Sequence, residues 1–309
     1  MFVDNHRHFS GSISPETIWE IIQKQDRLDI SRSLEDVKQQ VEISNVNSFS
    51  FQFDYFSTRF NIFNKIVWDD WSIELAAKQL CSDLIAENIG HTTLTVSLNK
   101  FDINRNLADA GERVFGILSK VAADCHVSMN FLLSISYTWP KELQVRTLKS
   151  INDLRYLVVG VDFVSDETMA DWSLYPDLLT KWRKCDKVVR AHVGERPGTS
   201  SNVDIAINSL KVSRIAHGIY TTIEQQINAN NHDIVFDMSI SSNIYTKAIQ
   251  NISEHPLKQM QQNGCAITIG TDDPVQFNCT LKKEYELAKT IGADTGELYE
   301  TAMDSRIIG

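Results

Sequence analysis

Short apolar and β-branched runs recur along the chain and alternate with longer segments of helical periodicity. Runs of this kind bounded by turn residues predict strands, and longer amphipathic patterns predict helices. The clearest helical patterns cover residues 72–88 and 108–125. The strand-like runs cover residues 2–8, 91–98, 127–136, 156–164, 188–194, 214–220, 233–241 and 266–273. Eight strands joined by helical crossovers predict an α/β protein with the (β/α)8, or TIM-barrel, architecture.

The first crossover, residues 9–90, is much longer than the others and contains an aromatic-rich segment at 48–63. Such a segment either packs as core under a long excursion or caps the barrel mouth, where its rings would stack on a flat aromatic substrate. No stretch rich in proline, glycine and serine divides the chain. We therefore expect one domain over residues 1–309, with a helical lid or cap region within 9–90.

The charge of the chain narrows the class of partner. Forty acidic and thirty basic residues give a net charge of −10, which disfavours nucleic acid or an anionic membrane as a partner. A small molecule is the expected ligand.

The five cysteines form no C-x-x-C pair, so no disulfide framework is indicated. The chain shows neither a signal-peptide pattern nor an apolar run of about 18 residues, so a cytoplasmic location is expected.

Histidines and carboxylates collect at the predicted C-terminal ends of strands, where TIM barrels place catalytic groups. They are His6, His8, His192, Glu195, His217, Asp272 and Asp273. His6 and His8 flank one residue, so in a strand both side chains face the same way. Three histidines and one carboxylate can bind a divalent ion and leave a position for water, as catalytic zinc sites do. Zinc lowers the pKa of bound water to about 7, which makes a nucleophile available at neutral pH.

The remaining groups of this set suit proton transfer. Glu195 is placed to shuttle a proton without ligating the metal, while His217 and Asp273 can orient or deprotonate the water. A salt bridge for Glu195 or a turn for Asp273 is the structural alternative, but the coincidence of these groups at strand ends favours chemistry. Structural roles are expected for the other four histidines, which are His91, His126, His232 and His255.

Five motifs carry a resemblance to a known family. They are "HRHFSG" (6–11), "HVGE" (192–195), "RIAHG" (214–218), "SISSN" (239–243) and "TDDP" (271–274). In this order they resemble the H-x-H-L-x-G, H-A-G-E, R-I-G-H-G, C-P-x-S-N and T-D-D-P motifs of the adenosine deaminase family, within the metal-dependent amidohydrolase superfamily. The segment "FQFDYF" (51–56) also resembles the lid that covers the purine in that family.

The resemblance implies a hydrolytic deaminase with one zinc ion per chain. The implied ligands are His6, His8, His192 and Asp272. It further implies that Glu195 protonates purine N1, and that His217 and Asp273 hold and activate the water that attacks C6. Phe53 and Phe56 would contact the substrate from the lid. Ammonia leaves, and the 6-oxo purine remains.

Two departures from the family pattern bear on the substrate. Ser10 stands where the nucleoside deaminases usually carry an acidic residue that binds the sugar 5′-hydroxyl. A serine does not repel a 5′-phosphate, and "GSIS" (11–14) resembles the branch that acts on N6-modified adenosine monophosphate. Ser165 stands where a glycine commonly offers its backbone amide to purine N3. Adenosine, deoxyadenosine, AMP and dAMP are all expected as possible substrates.

A bound phosphate would need contacts, and the segment after the fifth strand offers some. Arg196, Thr199 and Ser200 precede a helical run, and helix N-termini favour anions. Ordinary helix capping by Ser201 or Asn202 is the alternative.

Two rival functions stay open. One is an amidohydrolase that acts on adenine, an N6-substituted purine or another aminated ring, which only substrate profiling separates from an adenosine-type deaminase. The other is a catalytically inactive ligand-binding subunit, which would lack a ligand or proton donor that this sequence retains. The oligomeric state and the choice of zinc over another divalent metal also stay open.

Overall fold

Eight parallel strands form one sheet in the order of the sequence. The computed structural model of the protein describes residues 1–43, 53–101, 106–183 and 187–307. The strands are β1 (Phe2–His8), β2 (Ile89–Val96), β3 (Ser128–Ser136), β4 (Gly160–Val164), β5 (Val188–Val193), β6 (Arg214–His217), β7 (Val235–Met238) and β8 (Ala266–Ile269). The predicted α/β class and (β/α)8 barrel are confirmed.

Helices occupy the connections between the strands. The α-helices are α1 (Pro15–Lys24), α2 (Leu34–Val41), α3 (Phe53–Ser57), α4 (Asp70–Ala86), α5 (Leu107–Asp124), α6 (Lys141–Leu154), α7 (Tyr175–Arg183), α8 (Ser200–Ile205), α9 (Ile223–Asn230), α10 (Ile240–Tyr245), α11 (Leu257–Gln262), α12 (Leu281–Ile291) and α13 (Thr295–Asp304). The two helices predicted at 72–88 and 108–125 correspond to α4 and α5. None of the helices in the described part of the chain combines the length and apolar character needed to span a bilayer.

The barrel closes where β8 meets β1. The backbone amide of His8 donates to the carbonyl of Asp272 over 2.8 Å, and the amide of Asp272 donates to the carbonyl of His6 over 2.8 Å. Arg7 and Asp272 form the parallel bridge at this seam. Three of the four predicted metal ligands therefore lie on the seam itself.

Several strands are shorter than the sequence pattern predicts, and backbone conformation explains where they stop. Strand β6 ends at His217, which has a φ of 64°, and the next residue, Gly218, also has a φ of 64°. Ser165, one residue after β4, has a φ of 79°, and Asp272, after β8, has a φ of 61°. This left-handed conformation breaks the strand ladder and is costly for residues other than glycine. It is concentrated at functional sites in many proteins.

Charged side chains fill part of the barrel interior, below its C-terminal mouth. The fully buried Arg190 guanidinium binds the Asp162 carboxylate at 2.6 Å, the Thr95 hydroxyl at 2.6 Å and the Asn5 carbonyl at 2.6 Å. It also lies 3.5 Å from Asp237. This ionic layer supports the functional site from beneath.

The first crossover carries α1 to α4 together with short 3-10 turns at Thr58–Phe60 and Ile62–Asn64. Ser14 is the N-cap residue of α1, and its hydroxyl accepts a hydrogen bond from the amide of Thr17. Residues 48–52 of the aromatic segment lie outside the described residues. That this region closes over a substrate, and that the whole chain is a single domain, remain predictions.

Candidate active site

Four predicted metal ligands converge at the C-terminal end of the barrel. One side-chain atom from each of His6, His8, His192 and Asp272 lies within 4.8 Å of the others. The Nε2 atoms of His6 and His192 are 3.2 Å apart, and Asp272 Oδ1 lies 3.1 Å from His8 Nε2 and 3.5 Å from His6 Nε2. Three imidazole nitrogens and one carboxylate oxygen in this arrangement fit a divalent metal ion.

Hydrogen bonds fix the orientation of two of these histidines. His192 Nδ1 lies 3.0 Å from the carbonyl of Phe163 and 3.2 Å from Asp162 Oδ1, so its Nε2 faces the cluster. His6 Nδ1 lies 3.4 Å from the carbonyl of Asp237. Burial alone raises the pKa of Asp162, but Arg190 and His192 outweigh it and hold that pKa well below its usual range. The ionised Asp162 therefore acts on His192 from the ionic layer below.

Glu195 is a buried acid at the end of β5. Burial, together with the nearby Asp272 carboxylate, raises the pKa of Glu195 well above its ordinary value. Its Oε1 lies 3.8 Å from His217 Nε2. The Glu167 carboxylate holds the loop by accepting from the amides of Gly194 at 3.0 Å and Glu195 at 2.9 Å. Glu195 is thus a buried carboxyl group that keeps its proton to a higher pH than an exposed glutamate does.

A chain of hydrogen bonds determines which nitrogen of His217 carries the proton. The amide of Leu257 donates to His255 Nδ1 over 3.2 Å, so the neutral His255 ring carries its proton on Nε2. That nitrogen lies 3.2 Å from Asn243 Oδ1, and Asn243 Nδ2 lies 3.2 Å from His217 Nδ1. Burial lowers the pKa of His217 to about 3 and that of His255 to about 4, so both rings are neutral. His217 therefore presents Nε2–H to the site, where Asp272 Oδ2 is 3.7 Å away.

Asp273 lies beside this cluster and is also buried. Burial raises the pKa of Asp273 well above its usual range. Its Oδ1 has no hydrogen-bond partner among the described residues. Gly11 packs against this carboxylate so closely that a β-carbon there would come within 1.8 Å of Oδ1. The glycine of the "HRHFSG" motif is thus required by the position of Asp273.

A cavity of about 510 Å³ opens above the cluster. Its lining includes the predicted substrate contacts Ser10, Ser165, Phe53 and Phe56. Phe56 stacks on Phe277 with ring centres 5.0 Å apart, which gives the cavity an aromatic wall. On the other side, Ser165 Oγ accepts from Ser136 Oγ over 2.8 Å. A cavity of this size with aromatic and hydroxyl walls suits a flat, polar small molecule.

The sequence model of the adenosine deaminase family matches residues 2–305. The chain belongs to this family. An adenosine deaminase of Vibrio vulnificus is 24% identical over 290 residues, which cover 91% of this chain and 85% of the relative. An adenine deaminase of Wolinella succinogenes is 28% identical over 313 residues, covering 97% and 89%. The crystal structure of Arabidopsis ADAL complexed with IMP has a similar fold, with a TM-score of 0.83, 21% identity and coverage of 99% and 92%.

Membership of the adenosine deaminase family makes this protein a hydrolase that deaminates adenine-type substrates. The cavity and the cluster of histidines and aspartate agree with that chemistry, because hydrolytic removal of an amino group needs an activated water and a proton donor around one ring carbon. The individual roles assigned from the sequence remain predictions.

The predicted phosphate contacts in the loop after β5 are Arg196, Thr199 and Ser200. None of these three residues lines the cavity. The Glu167 side chain binds to this loop. Its carboxylate accepts hydrogen bonds from the Arg196 amide at 3.1 Å and from the Thr199 hydroxyl at 2.6 Å. The Arg196 guanidinium lies 2.7 Å from Asp166, and the Ser200 hydroxyl donates to Gln225 at 2.9 Å. Thr199, rather than Ser201 or Asn202, is the N-cap residue of α8. The anion bound by this loop is the Glu167 carboxylate.

Sequence reasoning missed several residues that shape the site. His255, expected to be structural, is buried and fixes the Asn243 amide. Arg190 and Asp162 orient His192. Each is a charged residue within an otherwise apolar strand, and this feature of the sequence could have identified them. Lys100 lines the cavity but follows β2 in a segment without any motif.

Proposed function

We propose that the protein removes the 6-amino group of an adenine nucleoside or its 5′-monophosphate by hydrolysis, with one zinc ion per chain. The proposed ligands are His6, His8, His192 and Asp272. A zinc ion bound there would act as a Lewis acid and make a bound water more acidic. Zinc is proposed over other divalent ions because imidazole nitrogens and carboxylate oxygens are the ligand types of many catalytic zinc sites.

One observation carries the proposal: the four-ligand cluster and the buried Glu195 carboxyl group face the same aromatic-walled cavity. A purine in that cavity needs a proton at ring N1 before C6 becomes sufficiently electrophilic for attack by water. Burial raises the pKa of Glu195, so this carboxyl group keeps its proton to a higher pH than an exposed glutamate and is suited to supply it to N1. Glu195 is therefore assigned as the general acid.

His217 and Asp273 are assigned to the attacking water. The fixed Nε2–H of His217 donates a hydrogen bond to the water oxygen and orients its lone pair toward C6. Asp273 is assigned as the acceptor of a proton from the water because its Oδ1, which lies beside the cluster on the cavity lining, has no hydrogen-bond partner among the described residues. Asp273 passes the proton it accepted to the amino group, the C6–N bond of the tetrahedral adduct breaks, and ammonia leaves. The adduct hydroxyl returns a proton to Glu195, and the 6-oxo purine that remains carries its proton on N1.

Ammonia release tests the proposal directly. The zinc-loaded protein is assayed with adenosine, deoxyadenosine, AMP and dAMP at matched concentrations, and with adenine in parallel. We expect release from at least one of the first four, loss of release after chelation, and recovery on addition of zinc. Release that is unaffected by complete metal removal, or absent from all four, would contradict the proposal.

Adenine itself is the second candidate substrate, because the Wolinella succinogenes relative is named an adenine deaminase. A free base needs the same acid and water but occupies less of the cavity of about 510 Å³. Turnover of adenine with none of the nucleosides or nucleotides would favour this candidate.

A further inference from the structure

A single lysine stands at the cavity wall close to Ser10. Lys100 ends the 3-10 turn Leu98–Lys100 that follows β2, and its side chain lines the cavity. Its Nζ donates to the Ser10 hydroxyl over 3.3 Å. The ammonium also lies 5.4 Å from the ring centre of Phe60 and 5.3 Å from that of Phe63. Two aromatic faces and a hydroxyl hold this cation in place.

Lys100 has no carboxylate within 4.0 Å among the residues that the structure describes. Burial lowers the pKa of Lys100 to about 8, although the more distant Asp273 acts in the opposite direction. Within the described part of the chain, the hydroxyl and the two rings are uncharged contacts for this partly buried cation, and no adjacent anion compensates its desolvation. An anionic ligand in the cavity would supply that charge.

The neighbouring lining residues favour an anion at the same place. Ser10 accepts the bond from Lys100, and its own O–H stays available as a donor to a ligand. Ser97 Oγ donates to Asn99 Oδ1 over 2.6 Å, which leaves the Asn99 NH2 group as a further donor on the lining. Among the described residues, the carboxylates of the lining are Glu195, Asp272 and Asp273, all of which belong to the proposed catalytic cluster.

We propose that Lys100 and Ser10 bind the 5′-phosphate of the substrate, which makes purine nucleoside 5′-monophosphates the preferred substrate class. The inference rests on the proposed function and narrows it. It also moves the phosphate contacts from the loop after β5, where Glu167 already fills the anion site, to the turn after β2. An ammonium can make a charge-assisted hydrogen bond to a phosphate oxygen, whereas an uncharged 5′-hydroxyl gains much less from it.

The test compares Lys100→Met with the zinc-loaded wild type. Methionine keeps most of the stem that packs on Phe60 and Phe63 but removes the charge. We expect kcat/KM for AMP to fall about 10- to 100-fold, the range for losing a hydrogen bond to a charged group, while kcat/KM for adenosine stays within about twofold. Lys100→Arg should keep most of the activity on AMP. Lys120→Gln, on the exposed face of α5, is the matched control and should change neither value.

Binding of the products separates this inference from the proposed function. Calorimetry should show that the wild type binds IMP more tightly than inosine, and that Lys100→Met removes the difference. This result would support the phosphate site even if no substrate were turned over. Equal affinity for IMP and inosine in the wild type would overturn the inference. So would equal decreases in kcat/KM for AMP and for adenosine in Lys100→Met. Both outcomes would leave the proposed deamination intact.

Discussion

Glu195 is the single residue on which the proposed reaction depends most. Its raised pKa follows from burial beside other carboxylates, an environment that a polar but uncharged side chain would occupy without penalty. Its role can therefore be removed with little change in shape.

Glu195→Gln should reduce kcat for deamination by at least about 100-fold, because the amide cannot donate an acidic proton to the ring. Zinc content, measured by elemental analysis, should stay at the wild-type level. Glu300→Gln on the exposed surface of α13 serves as the control and should leave kcat unchanged. Wild-type turnover in Glu195→Gln would refute the assignment of Glu195 as proton donor.

Asn243→Asp tests the hydrogen-bond chain that ends at His217. An aspartate carboxylate accepts hydrogen bonds but does not donate, so the neutral His217 ring would move its proton to Nδ1 and lose the Nε2–H donor. We expect kcat to fall about 10- to 100-fold at unchanged zinc content. Nitrogen-15 NMR of the His217 ring should report the change of tautomer. An Nε2-protonated His217 in the variant would contradict this account of the chain.

Single residues also show how far sequence reasoning reaches. The rule that catalytic groups lie at strand ends identified His6, His192 and Asp272 as neighbours, because the barrel brings all its strand ends together. It did not identify His255 or Lys100. Their positions depend on contacts between segments far apart in the chain, which no local pattern records.

At the scale of elements, α12 supports the start of α10 through one buried acid. The Glu284 carboxylate accepts from the amide of Ile240 over 2.6 Å and from the amide of Ser241 over 3.2 Å. These amides belong to the first turn of α10, where an anion is favourable. Burial nevertheless raises the pKa of Glu284 to about 7 from an ordinary value of 4.5.

This raised pKa predicts a pH dependence of stability. Below pH 4.5, Glu284 is protonated in both the folded and the unfolded chain, so it imposes no ionisation penalty. As the pH rises from 4.5 to 7, only the unfolded chain ionises, and the free energy of unfolding falls. The loss is on the order of 3 kcal/mol, because each tenfold difference in proton affinity is worth about 1.4 kcal/mol.

Urea denaturation of the wild type and Glu284→Gln at pH 5, 6 and 8 measures this loss. The stability of the wild type relative to Glu284→Gln should decrease across the series, because glutamine does not ionise. A constant difference between the two proteins would show that Glu284 does not titrate as its environment requires.

Element types were predictable, but their ends were not. The alternation of apolar runs gave all eight strands, and β1 was correct at both ends. Runs such as 214–220 and 266–273 extended too far. Ile219 and Tyr220 continue the apolar pattern after β6, and the β-branched Thr271 follows β8. The left-handed φ of His217 and Asp272 ends these strands, and it arises from the site rather than from local preference.

At the scale of the whole molecule, the ionic layer under the cavity joins several strands. Arg190 of β5 contacts Asp162 of β4 and Asp237 of β7, and Arg214 of β6 donates to Asp237 over 2.8 Å. A buried pair of this kind is costly to break, because removing one partner leaves the other as an uncompensated charge.

Arg190→Met should lower the free energy of unfolding by about 3–5 kcal/mol and weaken zinc binding, because Asp162 then loses the cation that keeps it ionised beside His192. Urea denaturation and competition with a zinc chelator measure the two effects. Arg27→Met, which breaks the exposed pair with Asp29, is the control and should leave the free energy of unfolding nearly unchanged, because solvent screens exposed ion pairs. An equal decrease in the free energy of unfolding in the two variants would contradict the claim that the ionic layer stabilises the barrel.

The seam between β8 and β1 also has a consequence for how the protein is made. His6 and His8 are translated before Asp272, which pairs with them across the seam, and seven further strands, β2 to β8, lie between them in the chain. A nascent chain that has not yet reached Asp272 therefore lacks one member of the proposed ligand set. With that ligand set, the complete metal site forms only when the end of β8 pairs with β1.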